Sequence, residues 1–160
     1  MENITAVLPT HREARESIDR LISRFNDSQP LEETDIQRAT LGVANSLQIR
    51  DYLMGAIGVE ISTPEDGVFF ISALESIGTQ SAHLIAVKSA YYYEAGNSIG
   101  ANLAIAGAFK LDSENALASL LRRVYSAGWS PESFATMRDS LHPKVSEKVE
   151  ELAEIIVGQE

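Results

Sequence analysis

The sequence predicts an all-α protein of roughly eight or nine short helices in antiparallel pairs, forming a tetratricopeptide-like helical bundle or a short solenoid. Three observations predict this class. Apolar residues recur at three- and four-residue spacing along most of the chain. Helix-start signals separate these segments. No Asn-Gly or Asp-Gly turn joins two alternating segments, as a β-hairpin would require.

The first predicted helix covers about residues 11–25. Thr10 and Glu13 have the spacing of a capping box, in which a hydroxyl and a carboxylate satisfy backbone N–H groups at the helix start. The following apolar positions share one face: Ile18, Leu21, Ile22 and Phe25. A second helix is predicted from near Thr34, and residues 50–58 are predicted to form a short helix that ends on glycine.

The strongest start signal precedes the fourth helix. Thr63 is a hydroxyl cap, Pro64 occupies the first helical position, and Glu65 lies in the positive first turn. The apolar run 68–71 could instead form a buried strand, but the cap and the continuing period favour a helix that ends at Gly78.

Residues 80–95 and 98–111 are predicted to form the next helix pair, separated by a Gly-Asn break. The second of them is rich in alanine and glycine. Such small residues allow two helix axes to approach closely, and the glycines are costly in a helix unless something packs against them. A helix over 114–127 follows and ends at Gly128.

The C-terminal part is predicted to hold two helices. Ser130 and Pro131 repeat the cap and proline start for a short helix that reaches about Leu141. Residues 142–143, His-Pro, are predicted to interrupt it because proline lacks a backbone N–H. Residues 146–157 are then predicted to form a separate amphipathic helix.

Length and charge restrict the function. The 160 residues suit one helical domain, 1–160, with a sizeable core. Lys and Arg number 13 and Asp and Glu number 23, a net charge of −10, which disfavours binding to nucleic acid or anionic lipid. Residues 1–9 lack signal-peptide features, and no apolar stretch is long enough for a membrane span. We therefore expect a cytoplasmic protein. There is no cysteine, so neither a disulfide nor a thiol nucleophile is available.

Residues 84–128 follow the tetratricopeptide pattern, with one good unit and a weaker shifted copy. Ser89 supplies the small residue before the aromatic Tyr92. Ala101 and Ala108 fall where the second helix must approach the first. Two positions depart from the pattern, where the repeat has a large apolar residue and a proline: Lys88 and Ser113.

A series of short motifs lies within about residues 41–141: Arg50-Asp51, residues 96–104, residues 108–113, residues 117–121 and residues 127–131. In order and spacing they resemble the C-terminal part of domain-of-unknown-function family 4192, found in actinobacteria and their phages. Asn97 and Ser98 replace the family's acid and second glycine, and Ser113 replaces its proline. The resemblance implies a helical domain and an actinobacterial or phage origin. It implies no activity and assigns no functional residue.

No arrangement typical of a catalytic or metal site is present. His11, His83 and His142 are far apart and lack the spacing of zinc ligands. His11 and His142 are predicted to be capping or surface residues. The adjacent acid pairs diverge by about 100° on a helix, so they do not face each other across a cleft. The Gly-x-Ser-x-Gly spacing of a nucleophile elbow occurs at residues 96–100, but it lies between two predicted helices and not at a strand-to-helix turn. The phosphate loop is missing, and no cofactor is predicted.

Three consecutive tyrosines, residues 91–93, sweep about 200° around a helix and cannot all enter one core. At least one should lie at a boundary, where tyrosine combines an apolar body with a polar tip. Trp129 is predicted to act as a lid on the core. The repeat-like geometry predicts a binding groove formed by His83, Tyr93, Glu94, Arg122 and Tyr125.

These features favour a non-catalytic helical protein–protein interaction module, whose partner the sequence does not identify. One alternative is an acidic phage or mobile-element inhibitor that blocks a basic nucleic-acid-binding site. Another alternative is an enzyme without a recognisable motif. Homo-oligomers are compatible with the open ends of a short helix stack.

Overall fold

The structure, a computed structural model, describes residues 7–160. The prediction that residues 1–9 are not a signal peptide concerns in part residues 1–6, which lie outside the described residues. The eight helices are α1 (His11–Asn26), α2 (Glu33–Asn45), α3 (Leu47–Glu60), α4 (Pro64–Ile77), α5 (Ala82–Glu94), α6 (Ser98–Leu111), α7 (Ala116–Ser126) and α8 (Pro131–Glu151).

The predicted all-α bundle is confirmed, and the strand alternative for residues 68–71 is wrong because they lie inside α4. Within residues 7–160, the only strand-like pairing is an isolated bridge between Thr10 and Ile156. Most helices begin at a side chain that accepts a hydrogen bond from the first helical turn: Thr10, Ser46, Thr63, Ser81, Asn97, Asn115 and Ser130.

Helix α5 lies at the centre of the bundle and packs against α2, α3, α4, α6, α7 and α8. Its most extensive partner is α6, where Ala101 and Ala108 are fully buried, as predicted for a close helix pair. The Ser89 hydroxyl on α5 donates to the Ala101 carbonyl at 2.8 Å. Small side chains on α6 therefore let a buried polar group of α5 reach its backbone.

Helix α8 corrects the predicted C-terminal region. It runs unbroken from Pro131 to Glu151 with Pro143 inside it, so the predicted break at His142-Pro143 is wrong. An interior proline costs about 3 kcal/mol in a helix. Packing on both sides of the proline opposes this cost, because Phe134 and Val149 are both buried in the core.

The predicted helix over residues 146–157 is also wrong beyond Glu151, where the chain forms turns and returns to α1. The Val157 N–H donates to the Pro9 carbonyl at 3.0 Å, and the His11 N–H donates to the Ile155 carbonyl at 2.9 Å. Backbone pairing with the start of α1 therefore replaces the final helical turns.

His11, predicted at a cap or on the surface, is instead fully buried beneath this C-terminal segment. Its Nδ1–H donates to the Ile155 carbonyl at 2.6 Å, and its Nε2 lies 3.0 Å from the Ser46 hydroxyl. Burying an imidazole is tolerable here because both ring nitrogens have hydrogen-bond partners.

Helix α8 approaches α3 closely over two glycines. A methyl group on Gly55 would lie 2.2 Å from His142 Nδ1, and one on Gly58 would lie 2.5 Å from Arg138 Nη2. Because no side chain separates the helices at these positions, His142 and Arg138 pack directly on the α3 backbone.

The Gly55→Ala substitution is expected to lower the free energy of unfolding by about 1–2 kcal/mol, because the new methyl group would overlap the His142 ring. Gly107→Ala in α6 is the matched control. Its methyl group would find Ile85 at 3.8 Å, so helix propensity should raise stability by about 0.5–1 kcal/mol. Urea denaturation measures both, and a stabilising Gly55→Ala would contradict the close α3–α8 contact.

Candidate functional site

An apolar cleft of ≈ 160 Å³ opens between α3, α7 and α8. Its apolar lining consists of Met54, Leu117, Leu120, Phe134, Met137, Leu141 and Val145. Four polar residues complete it: Arg50, Asp51, Arg138 and His142. The site thus combines apolar walls with a few polar groups, the usual composition of a binding site.

The cleft is open because the two helices that form its walls, α7 and α8, pack mainly on other helices. Helix α7 packs on α5 and α6, α8 packs mainly on α3, and contacts between α7 and α8 are sparse within the described residues. The rim carries Leu120, 40% exposed, and Leu141, 48% exposed. Two large apolar side chains at the mouth of an apolar cleft form a continuous surface that a partner could cover.

The size of the cleft restricts its occupant. Sites for drug-sized ligands and cofactors measure about 300–1,000 Å³, whereas an apolar cavity of about 150 Å³ accommodates benzene. At ≈ 160 Å³, this cleft suits a single apolar side chain of a larger partner.

Arg50 is an almost buried arginine of the cleft, only 9% exposed. Its Nε and Nη2 both contact Asp51 Oδ1, at 2.9 and 2.8 Å. Its Nη1 is buried and has no hydrogen-bond partner within the described residues. A buried donor without an acceptor costs about 1–3 kcal/mol, and more when it is charged.

The Arg138 side chain makes buried contacts within the fold. Its guanidinium forms a buried ion pair with Glu94 and lies 5.0 Å from the centre of the Tyr91 ring. Burial raises the pKa of the Glu94 carboxyl above its ordinary value, and the Arg138 charge offsets only part of that shift. This pair therefore links α5 to α8, and the Arg138 charge is already balanced without a ligand.

His142 fills the space between α8 and α3. Its ring lies 5.4 Å from that of Tyr52, and its Nδ1 is buried against Gly55 without a hydrogen-bond partner in the described part of the chain. Burial lowers the pKa of His142 below its ordinary 6.5, although Asp139 and Asp19 oppose the shift. The predicted surface position is wrong for this half-buried residue.

Of the five residues of the predicted groove, Tyr93 and Tyr125 contact each other. The Tyr93 and Tyr125 rings lie together, 4.4 Å between centres, and the Tyr125 hydroxyl lies 2.9 Å from the Ser89 hydroxyl. Burial raises the pKa of Tyr125 to about 12. Glu94 turns inward to Arg138.

The other two residues of that groove lie farther away. His83 is near the start of α5, about 15 Å along the helix from Tyr93, and accepts from the Asn115 side-chain amide at 3.1 Å. The guanidinium of Arg122 lies 4.3 Å from the Phe109 ring centre. Binding of a partner at these five residues stays a prediction.

Of the two predictions about aromatic residues, the one for the tyrosines 91–93 is confirmed and the one for Trp129 is wrong. Tyr91 is buried while Tyr92 and Tyr93 are half-buried, so the boundary position predicted for at least one tyrosine is confirmed. Trp129 is 43% exposed, so its prediction as a lid on the core is wrong. Its backbone carbonyl accepts a hydrogen bond from the Tyr93 hydroxyl.

Sequence reasoning missed the cleft because it ended one helix at about Leu141 and began the next at residue 146, which left Val145 outside both. A signal was available: Phe134, Met137, Leu141 and Val145 keep three- and four-residue spacing through Pro143. The opposite wall, Leu117 and Leu120, shows the same spacing on α7.

No family model, curated protein or solved structure matches the chain. Among residues 7–160, no helix has both the length and the apolar character that crossing a membrane requires. In the same part of the chain, no three His, Asp or Glu side chains come together as metal ligands would.

The lowered pKa of His142 predicts a pH-dependent stability. The unfolded chain binds a proton near pH 6.5 while the folded chain resists it, so the free energy of unfolding should fall as the pH drops from about 7 to about 5. His83, whose pKa is lowered by burial and by Arg50, acts in the same direction.

His142→Asn should flatten part of this slope in urea denaturation measured across the pH range, whatever its effect at neutral pH. His83→Asn should remove a separate part. Wild-type and His142→Asn slopes that coincide would contradict a buried, neutral His142.

Proposed function

We propose that this chain is a non-catalytic helical interaction module that binds an apolar segment of a partner protein in the cleft between α7 and α8. The observation that carries the proposal is the apolar cleft with half-exposed Leu120 and Leu141 at its rim. An apolar partner segment would cover both leucines while one of its side chains enters the cleft.

The energetics favour a modest affinity. Full burial of one Leu- or Phe-sized side chain contributes about 1.5–3 kcal/mol, and cover over the rim leucines adds to it. Binding must also offset the lost freedom of the segment. A short segment is therefore expected to bind reversibly, in the manner of a helix or strand that docks through one anchor residue.

The polar residues support binding over catalysis. Asp51 accepts from Arg50, Arg138 pairs with Glu94, and His142 packs on Gly55. A general base or nucleophile needs a reactive atom facing the substrate. His142 Nδ1 is instead buried against Gly55, and Glu94 pairs with the Arg138 charge. The resemblance to family 4192 implies no activity and adds no residue to this site.

The same proposal places the module in the cytoplasm and gives it protein partners in preference to nucleic acid. The net charge of −10 opposes the approach of a phosphate backbone. An apolar cleft for one side chain suits a peptide segment better than a nucleic-acid strand.

Selection of a random peptide library displayed on phage tests the proposal on the full chain. Selected peptides should contain a large apolar residue and bind the wild type. Their affinity should fall at least about tenfold for Leu120→Asp and for Leu141→Asp, because each change places a charge on the apolar rim.

Leu103→Asp is the control, since Leu103 is 70% exposed on α6 and lies outside the cleft. It should bind the selected peptides as the wild type does. Peptides that lose affinity equally for all three variants, or a failure to select any peptide, would contradict the proposal.

A further inference from the structure

We infer that two copies of this chain associate through the outer face of α6, with their α6 helices antiparallel about a two-fold axis. The residues of this face do not line the cleft, so the inference does not rest on the proposed function. Three features support it: the apolar character of the face, the order of side chains along it, and the uneven distribution of charge in the chain.

The outer face of α6 carries apolar side chains where a surface helix usually carries charged ones. Ile99 is 75% exposed and Leu103 is 70% exposed. Ala106 and Lys110 continue the same face at helical spacing and are also exposed, whereas Ile105, on the other side of the helix, is buried. We call residues 99, 103, 106 and 110 the outer stripe. Water contacts its two large apolar side chains unless a partner covers them.

The order of side chains makes the outer stripe complementary to itself. In an antiparallel pair, a two-fold axis between residues 104 and 105 places Leu103 opposite Ala106 of the second copy. The same axis places Ile99 opposite the aliphatic stem of Lys110 of the second copy. Large side chains therefore meet small or flexible ones, as close packing of two helices requires. The two Lys110 residues lie at opposite ends of the pair, about 16 Å apart along it, so their charges are largely screened.

The distribution of charge favours a second copy as the occupant. Residues 76–131, which contain α5, α6 and α7, carry four Lys or Arg and three Asp or Glu, a net charge of +1. The remaining residues carry nine basic and twenty acidic side chains, a net charge of −11, and α6 itself has no acid. A pair joined through α6 brings the nearly neutral parts together and leaves the strongly acidic parts farther apart, which limits the repulsion between two acidic molecules.

The area of the face determines the strength of the association. Helix α6 has 14 residues and is therefore about 21 Å long. Two crossed helices of this length bury less than the roughly 800 Å² per partner of a standard interface, so the contact belongs to the weak class. We expect a reversible dimer with a dissociation constant of about 10–100 μM.

Sedimentation equilibrium of the full chain, from about 1 μM to about 1 mM, tests the inference. The wild type, 17.4 kDa as a monomer, should approach twice this mass as its concentration rises. Ile99→Asp and Leu103→Asp should each weaken the association at least about tenfold, because two-fold symmetry places two carboxylates in the apolar contact.

Leu47→Asp is the matched control. It makes the same chemical change at another exposed leucine, 51% exposed at the start of α3, and should associate as the wild type does. Circular dichroism should give the same helix content for all three variants, since each substitution lies at an exposed position.

A mixture of two variants tests the antiparallel arrangement. Ala106→Lys places an ammonium group opposite Leu103 of the second copy. In a mixture with Leu103→Asp, one carboxylate faces one ammonium while the other Leu–Ala contact stays intact. The mixture should therefore associate severalfold more tightly than Leu103→Asp alone, and less so at high salt.

The possible outcomes decide the inference. A chain that remains monomeric up to about 1 mM would overturn it, as would a dimer that Ile99→Asp and Leu103→Asp leave intact. A dimer that Leu47→Asp weakens equally would show that the contact is not specific to α6. A dimer that depends on Leu120 in place of Leu103 would assign self-association to the cleft and contradict the α6 contact. If the mixture of variants does not associate, the antiparallel arrangement is wrong.

Discussion

The close contact of α8 with α3 over Gly55 and Gly58 is the constraint on which the rest of the structure depends. Two bare backbone positions let His142 and Arg138 pack directly against α3, where larger residues would separate the helices. Held there, α8 tolerates Pro143 in its interior, because the buried side chains on both sides of the proline stabilise a continuous helix. Helix α8 packs mainly on α3 and only sparsely on α7 within the described residues, and the apolar faces of these consecutive helices line an open cleft.

The chemistry of the cleft follows from which polar groups the fold has already satisfied. The Arg138 guanidinium is buried, and the Glu94 carboxylate pairs with it there. The nearby Tyr91 ring faces the same charge and offsets part of its desolvation cost. Arg50, on the facing helix, is satisfied on one side alone. The cleft therefore combines apolar walls with a few polar groups that already have neighbours in the chain.

Local signals predicted much of the fold. Thr10, Thr63 and Ser130 begin helices as their capping patterns indicate, and Ala101 and Ala108 mark a close helix pair as their size requires. Such local signals could not predict contacts between residues that are far apart in the sequence. His11 is buried because the Ile155 carbonyl, 144 residues away, accepts from its ring, and no local pattern encodes that partner. The cleft was missed for the same reason: local propensity at Pro143 indicates a break, and the α3 contact that overrides it depends on glycines some ninety residues earlier in the chain.

The continuity of α8 is the most direct test of this account. The chain has no cysteine, so a pair introduced at the exposed positions Glu132 and Glu147 can be spin-labelled without interference. Pulsed electron–electron double resonance should then give one narrow distribution of the distance between the two labels, consistent with Cα atoms about 22 Å apart along a continuous helix. A clearly shorter or broad distribution would show that the helix breaks at Pro143, and the wall of the cleft formed by Leu141 and Val145 would not exist as described.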